Sequence, residues 1–168
     1  MGKLAFLLTL AAVLGVSAPA QQNGSGSVPN DTFLGKWKLN TAKSSAGPSA
    51  ETITIEPERK QYRITVEAAY SDDRGKKIFW TVTDMNGRGS PFTYSSVQQP
   101  TDQEEWHVQR DGPDGFTINA ILRGEHGQVS RFEWRYRVSL DGKALTRRRI
   151  SSVPPSHETQ VLVFDRIS

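Results

Sequence analysis

The stretch SRFEWRYRVSL, residues 130–140, decides the fold class of this chain. Large apolar side chains alternate with polar ones along it, at Phe132, Trp134, Tyr136, Val138 and Leu140. Successive side chains of an extended strand point to opposite faces, so this period of two places one face against a core and the other toward solvent. The stretch therefore predicts a β-strand whose apolar face, up to Leu140, lies inside the domain.

Shorter stretches with the same period follow one another from Phe33 to the end of the chain. Residues 62–69 alternate clearly, and the other predicted strands are 52–56, 77–83, 92–97, 104–110, 116–122, 144–151 and 159–166. Turn residues separate them, notably Asn86-Gly87 and Asp141-Gly142, because glycine tolerates the positive φ of tight hairpins. A meander of about nine strands either splits into two sheets or closes into a barrel. Residues 41–51 are predicted to form a loop with one helical turn.

The N-terminus has the pattern of a cleavable secretory signal peptide. Lys3 supplies the positive charge, residues 4–16 form an apolar run, and Ala18-Pro19-Ala20 offers small residues for cleavage after Ala20. The apolar run is shorter than the roughly 20 residues that a membrane-spanning helix needs. We therefore expect a periplasmic or secreted protein with a signal peptide (1–20), a flexible linker (21–30) and one β domain (31–168).

The composition excludes several kinds of chemistry. The 168 residues include no cysteine, which excludes disulfides, thiolate metal sites, a cysteine nucleophile and a lipid on an N-terminal cysteine. His107, His126 and His157 do not have metal-ligand spacing, and serine-nucleophile and phosphate-loop motifs are missing. The net charge of +3 is too small to indicate nucleic-acid binding. We therefore predict a monomer with no metal, no cofactor, no nucleic-acid partner and no membrane span.

The segment FLGKWKLN, residues 33–40, resembles the first strand of lipocalins and fatty-acid-binding proteins, which begins with Gly-x-Trp. Those barrels often end with an arginine that lies across this tryptophan, and Arg166 stands in the matching place on the last predicted strand. Together with Ala42-Lys43-Ser44 and residues 52–57, the start is similar to small exported bacterial lipocalin-like proteins of unknown function. The resemblance implies an all-β, antiparallel up-and-down barrel of roughly 8–10 strands, closed by Gly35, Trp37 and Arg166.

Aromatic side chains are the candidates for a ligand site. A barrel of this size either fills with side chains or holds one small ligand, so a packed core and a cavity both remain open. If there is a cavity, we predict that five residues contact the ligand: Phe132, Trp134, Tyr136, Phe79 and Trp106. The leading hypothesis is an exported protein that binds a small hydrophobic molecule, with no catalytic residues assigned.

An enzyme on the same barrel, such as an isomerase or hydrolase, is one alternative, and it requires at least two ionisable side chains that face inward around a pocket. Glu105 and His107 share a strand face and are the candidate acid–base pair. A solvated outer face is the more common position for such a pair. The sequence therefore assigns no reaction.

An envelope-associated interaction protein is the other alternative. On a strand, Arg147 and Arg149 face one way and Arg148 the other. We expect Arg147 or Arg149 to extend a cationic outer face across the neighbouring hairpin, where alternate positions normally meet solvent. The other members of that predicted face are Arg131, Arg135 and Arg137.

Overall fold

The structure is a computed structural model, and it describes residues 30–90, 92–94, 103–123, 127–151 and 158–167. The predicted signal peptide, nearly all of the predicted linker, His126 and His157 lie outside these residues. In the described part, one 3-10 turn (Thr41–Lys43) accompanies eleven strands. The strands are β1 (Gly35–Leu39), β2 (Ala50–Glu58), β3 (Gln61–Ala69), β4 (Lys76–Thr83), β5 (Asn86–Ser90), β6 (Phe92–Tyr94), β7 (Gln103–Arg110), β8 (Gly115–Arg123), β9 (Val129–Val138), β10 (Ala144–Ser151) and β11 (Glu158–Ile167).

Every strand pair is antiparallel, and the sheet order follows the chain. The first strand pairs with both β2 and the last strand, β11. One residue separates β5, which pairs with β7, from β6, which pairs with β4. β5 and β6 thus pair with the two remaining edges of the sheet and together count as one strand of the barrel. The result is a nearly closed, ten-stranded up-and-down barrel, which confirms the predicted fold class and selects ten strands over eight.

Two local predictions are wrong. Asn86-Gly87 is not the turn after β4, because Asn86 already begins β5. The turn lies just before it, where Asp84 accepts hydrogen bonds from Asn86 N (3.2 Å) and Nδ2 (2.6 Å). Gly87, at φ 82°, instead lies where the register of β5 against β7 shifts. Leu140 is fully exposed, because β9 ends at Val138 and Leu140 lies in the turn to β10.

One end of the barrel, which we call the closed end, is filled with side chains. Phe33 lies 5.3 Å from Phe116 and 5.8 Å from Tyr62, measured between ring centroids. Trp37 is fully buried and donates from its indole nitrogen to the Phe33 carbonyl over 2.9 Å. Burial of each such side chain stabilises the fold by about 1.5–3 kcal/mol.

Arg166 covers the closed end where the first and last strands meet. Its guanidinium carbon lies 4.1 Å from the centroid of the Trp37 ring, and the two residues are register partners. It donates to the carbonyls of Gly142 (2.8 Å), Leu34 (2.9 Å) and Thr32. A side chain at Gly35, where φ is 124°, would start 3.0 Å from the Arg166 guanidinium, so this close approach requires glycine.

Hydrogen bonds to Asp31 hold the segment before β1 at the closed end. Its buried carboxylate accepts a hydrogen bond from the Tyr62 hydroxyl (2.7 Å) and a bidentate pair from Arg110 (2.5 and 3.0 Å). Burial and the hydrogen bond to Asp31 raise the pKa of Tyr62 to about 12. The closed end therefore contains a buried charge, and that charge is fully partnered.

Candidate functional site

The inner face of the β9–β10 hairpin combines aromatic and basic side chains. The register places Tyr136 opposite Arg147 and Trp134 opposite Arg149. Residues directly opposite each other share a face of the sheet, and Tyr136 is buried inside the barrel. Leu145, Arg147 and Arg149 occupy alternate positions of β10, and Leu145 is buried. Arg147 and Arg149 therefore also face the inside of the barrel.

These side chains line a cavity of about 520 Å³, at the other end of the same strands. This volume lies within the roughly 300–1,000 Å³ typical of small-molecule sites. All five aromatic residues singled out from the sequence line it: Phe79, Trp106, Phe132, Trp134 and Tyr136. The polar lining consists of Glu51, Tyr70, Arg74, Lys77, Arg147, Arg149 and Gln160, and the loop residues are Ala46, Gly47 and Pro48.

Four of the aromatic rings form a continuous wall, which we call the aromatic wall. Ring centroids lie 5.8 Å apart for Phe79 and Trp106, 5.6 Å for Trp106 and Trp134, and 6.4 Å for Trp134 and Phe132. Trp106 is buried, whereas the other three are only partly covered. The barrel thus leaves aromatic surface without full packing at this end, which is the surface an apolar ligand requires.

Glu51 and Arg147 form a buried ion pair in the cavity. The two Arg147 nitrogens lie 2.5 and 3.0 Å from the two Glu51 oxygens, and the side chains are 12% and 2% exposed, respectively. Burial by itself would lower the pKa of Arg147, but the attraction of the Glu51 carboxylate outweighs it and keeps that pKa above its usual value. Glu51 thus holds Arg147 charged within the barrel.

Arg149 lies beside this pair, against the aromatic wall. Its guanidinium carbon is 4.1 Å from the centroid of the Phe132 ring. Burial and the neighbouring charge of Arg147 lower the pKa of Arg149. A guanidinium that stacks on a ring keeps its N–H groups in its own plane, which is the geometry in which planar acidic groups bind arginine bidentately.

The predicted cationic outer face, which was to include Arg147 or Arg149, is wrong. Arg147 and Arg149 do not join Arg135 and Arg137, because the register places Arg148 opposite Arg135 on the outside. The prediction was wrong because alternate arginines on a strand usually face solvent, and here the alternate positions continue the buried face of Leu145.

The loop before β2 borders the cavity. Ser45 donates from its backbone nitrogen to Val161 (2.8 Å), and Ser49 donates in the same way to Ala69 (2.8 Å). Gln160 donates to the Ala46 carbonyl over 2.7 Å. Hydrogen bonds to β11 and β3 thus hold the loop in place on both sides.

Glu105 and His107 lie apart from the cavity. Their side chains are 3.1 Å apart, and His107 Nδ1 lies 3.2 Å from the Gly87 carbonyl oxygen. Both alternate with Trp106, whose side chain lies in the core, so they face the outside of β7.

Within the described ranges, no group of three or more His, Cys, Asp or Glu side chains is placed to hold a metal ion.

A search against protein-family models gives no match, and a search of the curated proteins gives none either. The architecture is compatible with a calycin-like barrel. In the part of the chain that the structure describes, no helix is long and apolar enough to cross a membrane. Function must therefore be inferred from the cavity itself.

Sequence reasoning missed the polar half of the site. Glu51 precedes Ile53 and Ile55 at the same parity, and Arg147 and Arg149 follow Leu145 in the same way. That shared parity is the signal that these charges face inward.

Proposed function

We propose that the protein binds a small, predominantly apolar molecule in the barrel cavity. The partly covered aromatic wall is the observation that carries this proposal. A closely packed interior would have covered these rings, since protein cores leave few voids larger than a water molecule. The cavity of about 520 Å³ has room for one ligand of ordinary small-molecule size.

An enzymatic role has less support. Glu51 is the one carboxylate among the described residues that line the cavity, and both of its oxygens contact Arg147. A general base needs a free oxygen within reach of the substrate proton. The ion pair therefore favours a binding protein over an acid–base catalyst.

Titration with N-phenyl-1-naphthylamine, a neutral apolar fluorophore, tests the proposal. We expect saturable probe emission with a micromolar Kd, because bound probe lies beside Trp134 and Trp106. Trp134→Ala should weaken binding at least about fivefold by removing one ring of the wall. Trp80→Phe is the matched control, since Trp80 lies on the opposite face of β4 from Phe79 and contacts Arg63 (4.5 Å). The absence of saturable binding to the folded wild type would refute the proposal.

We also propose that the protein is exported, with residues 1–20 removed and residues 21–30 serving as a flexible linker. The charged start, the apolar run of residues 4–16 and the small residues before Gln21 support this. Expression of the full chain in a bacterial host should yield periplasmic protein whose N-terminus is Gln21. Intact protein retained in the cytoplasm would contradict export.

A further inference from the structure

The charge balance of the cavity indicates the chemistry of its ligand. Among the described residues, the lining contains one anion, Glu51, and the cations Arg74, Lys77, Arg147 and Arg149. Glu51 balances Arg147, and Arg74 is paired with Asp72 over 2.6 Å. Lys77 and Arg149 therefore give the lining an excess of positive charge. Apolar walls exclude water and strengthen the field of such charges, so a neutral ligand would leave much of this field uncompensated.

Arg149 is placed to receive an anionic group. It follows Arg147 on the same face of β10, about 7 Å along the strand, and stacks on Phe132. Its register partner is Trp134, so a group bound to this guanidinium lies next to the aromatic wall. Burial and the repulsion from Arg147 lower the pKa of Arg149, and an anion bound here would favour its charged form.

Arg147 supplies a second observation. Its Nε atom is buried and has no hydrogen-bond acceptor among the described residues, although its two terminal nitrogens contact Glu51. A buried donor of this kind is rare and calls for a partner. An acidic ligand in the cavity would bring acceptor oxygens to the same region.

Building on the proposed binding function, we infer that the ligand is an organic acid with a planar aromatic body. Its carboxylate or sulfonate accepts hydrogen bonds from Arg149, and its rings pack on Phe132 and Trp134. The fused rings of such a molecule match a wall of flat side chains better than a flexible alkyl chain does. The acidic group sets the orientation, and the rings supply most of the buried apolar area.

Two probes that share one body separate the acidic group from the rings. We would compare 8-anilinonaphthalene-1-sulfonate with neutral N-phenyl-1-naphthylamine, using bound-probe fluorescence. The sulfonate should bind about tenfold tighter, or more, because a charge-assisted hydrogen bond contributes on that scale. Arg149→Met should remove this preference and leave the neutral probe within about twofold of wild type.

Arg148→Met is the matched control, because it removes the same charge from the outer face of the same strand. It should change neither affinity by more than about twofold. Near-UV circular dichroism checks that each variant is folded. Should Arg149→Met not fold, Arg149→Lys serves in its place; it keeps the charge but loses the planar fork, and should retain only part of the preference.

Each outcome bears on a different claim. If neither probe binds folded wild type, the proposed function fails. If the neutral probe binds as tightly as the sulfonate, or Arg148→Met reduces sulfonate binding as much as Arg149→Met, the acidic-ligand inference fails and the binding function stands. Competition against the sulfonate probe gives an inhibition constant for each competitor. If the inhibition constant of dodecyl sulfate is lower than that of 1-naphthalenesulfonate, the inference that the ligand has an aromatic body fails.

Discussion

The two ends of the barrel are built from the same strands but differ in what those strands carry. Along β10, Leu145 at the closed end is fully buried, and the next inward positions are Arg147 and Arg149. Along β9, the inward positions run from Val138 through Tyr136 to Trp134, which is only partly covered. A change in residue type at two or three inward positions therefore separates a filled core from a cavity, without a change in topology.

Each end also contains a carboxylate–arginine pair, and the two pairs have different surroundings. Asp31 is bound by Arg110 and Tyr62 and fastens the chain before β1. Glu51 and Arg147 lie in the lining of the cavity, next to Arg149. Charge at the closed end thus holds the polypeptide together, whereas charge at the cavity end faces space that a ligand can occupy.

Phe116→Ala should destabilise the closed end and affect the cavity only through Tyr136, on which Phe116 stacks. Phe116 is fully buried between Phe33 and Tyr136, whose centroids lie 5.3 and 4.4 Å away. Deletion of such a ring costs about 3–5 kcal/mol of unfolding free energy, measurable by urea denaturation. Probe affinity of the molecules that stay folded should fall less than it does in Trp134→Ala, because Phe116 itself does not line the cavity. A loss below about 1 kcal/mol would show that this end is not closely packed.

Glu51→Met should destabilise the cavity end by about 3 kcal/mol, because it leaves Arg147 buried without its carboxylate. The double variant Glu51→Met/Arg147→Met removes both charges and should recover most of that loss. Urea unfolding of the wild type, both single variants and the double variant gives the coupling energy. A double variant as unstable as Glu51→Met would mean that the pair is not the cause.

Arg166→Met should cost about 1–2 kcal/mol, since it removes the stacking on Trp37 and three hydrogen bonds to backbone carbonyls from a partly solvated side chain. Probe affinity should not change, because Arg166 lies at the closed end. Arg148→Met, on the outer face, is the control and should shift stability by less than about 0.5 kcal/mol. Equal effects of the two variants would argue against closure by Arg166.

The closed end and the aromatic wall follow from the sequence much more directly than the charged lining. The alternation in residues 130–140 predicts both the strand and the inward placement of Phe132, Trp134 and Tyr136, and only Leu140 departs from it. The segment NGRGS, residues 86–90, has no apolar period, so β5 was missed although it completes the barrel. The inward arginines were missed although they share the parity of Leu145. A buried arginine needs a carboxylate partner, and the partner of Arg147, Glu51, lies 96 residues away in the sequence.

The smallest effect concerns Tyr62 and appears only in alkali. The phenol has a pKa of about 12 in the folded protein, above the value near 10 expected in the unfolded chain. Between these values the unfolded chain releases the proton and the folded protein keeps it, so the stabilisation is complete below pH 10 and is lost as the pH approaches 12. Tyr62→Phe lacks this titration but retains those of Tyr70 and Tyr136, whose pKa values are also raised by burial. The stability difference between wild type and Tyr62→Phe, from urea midpoints at about pH 9 and about pH 11.5, should therefore shrink with pH. If the stability difference between wild type and Tyr62→Phe stays constant with pH, the environment of Tyr62, including Asp31, does not raise its pKa.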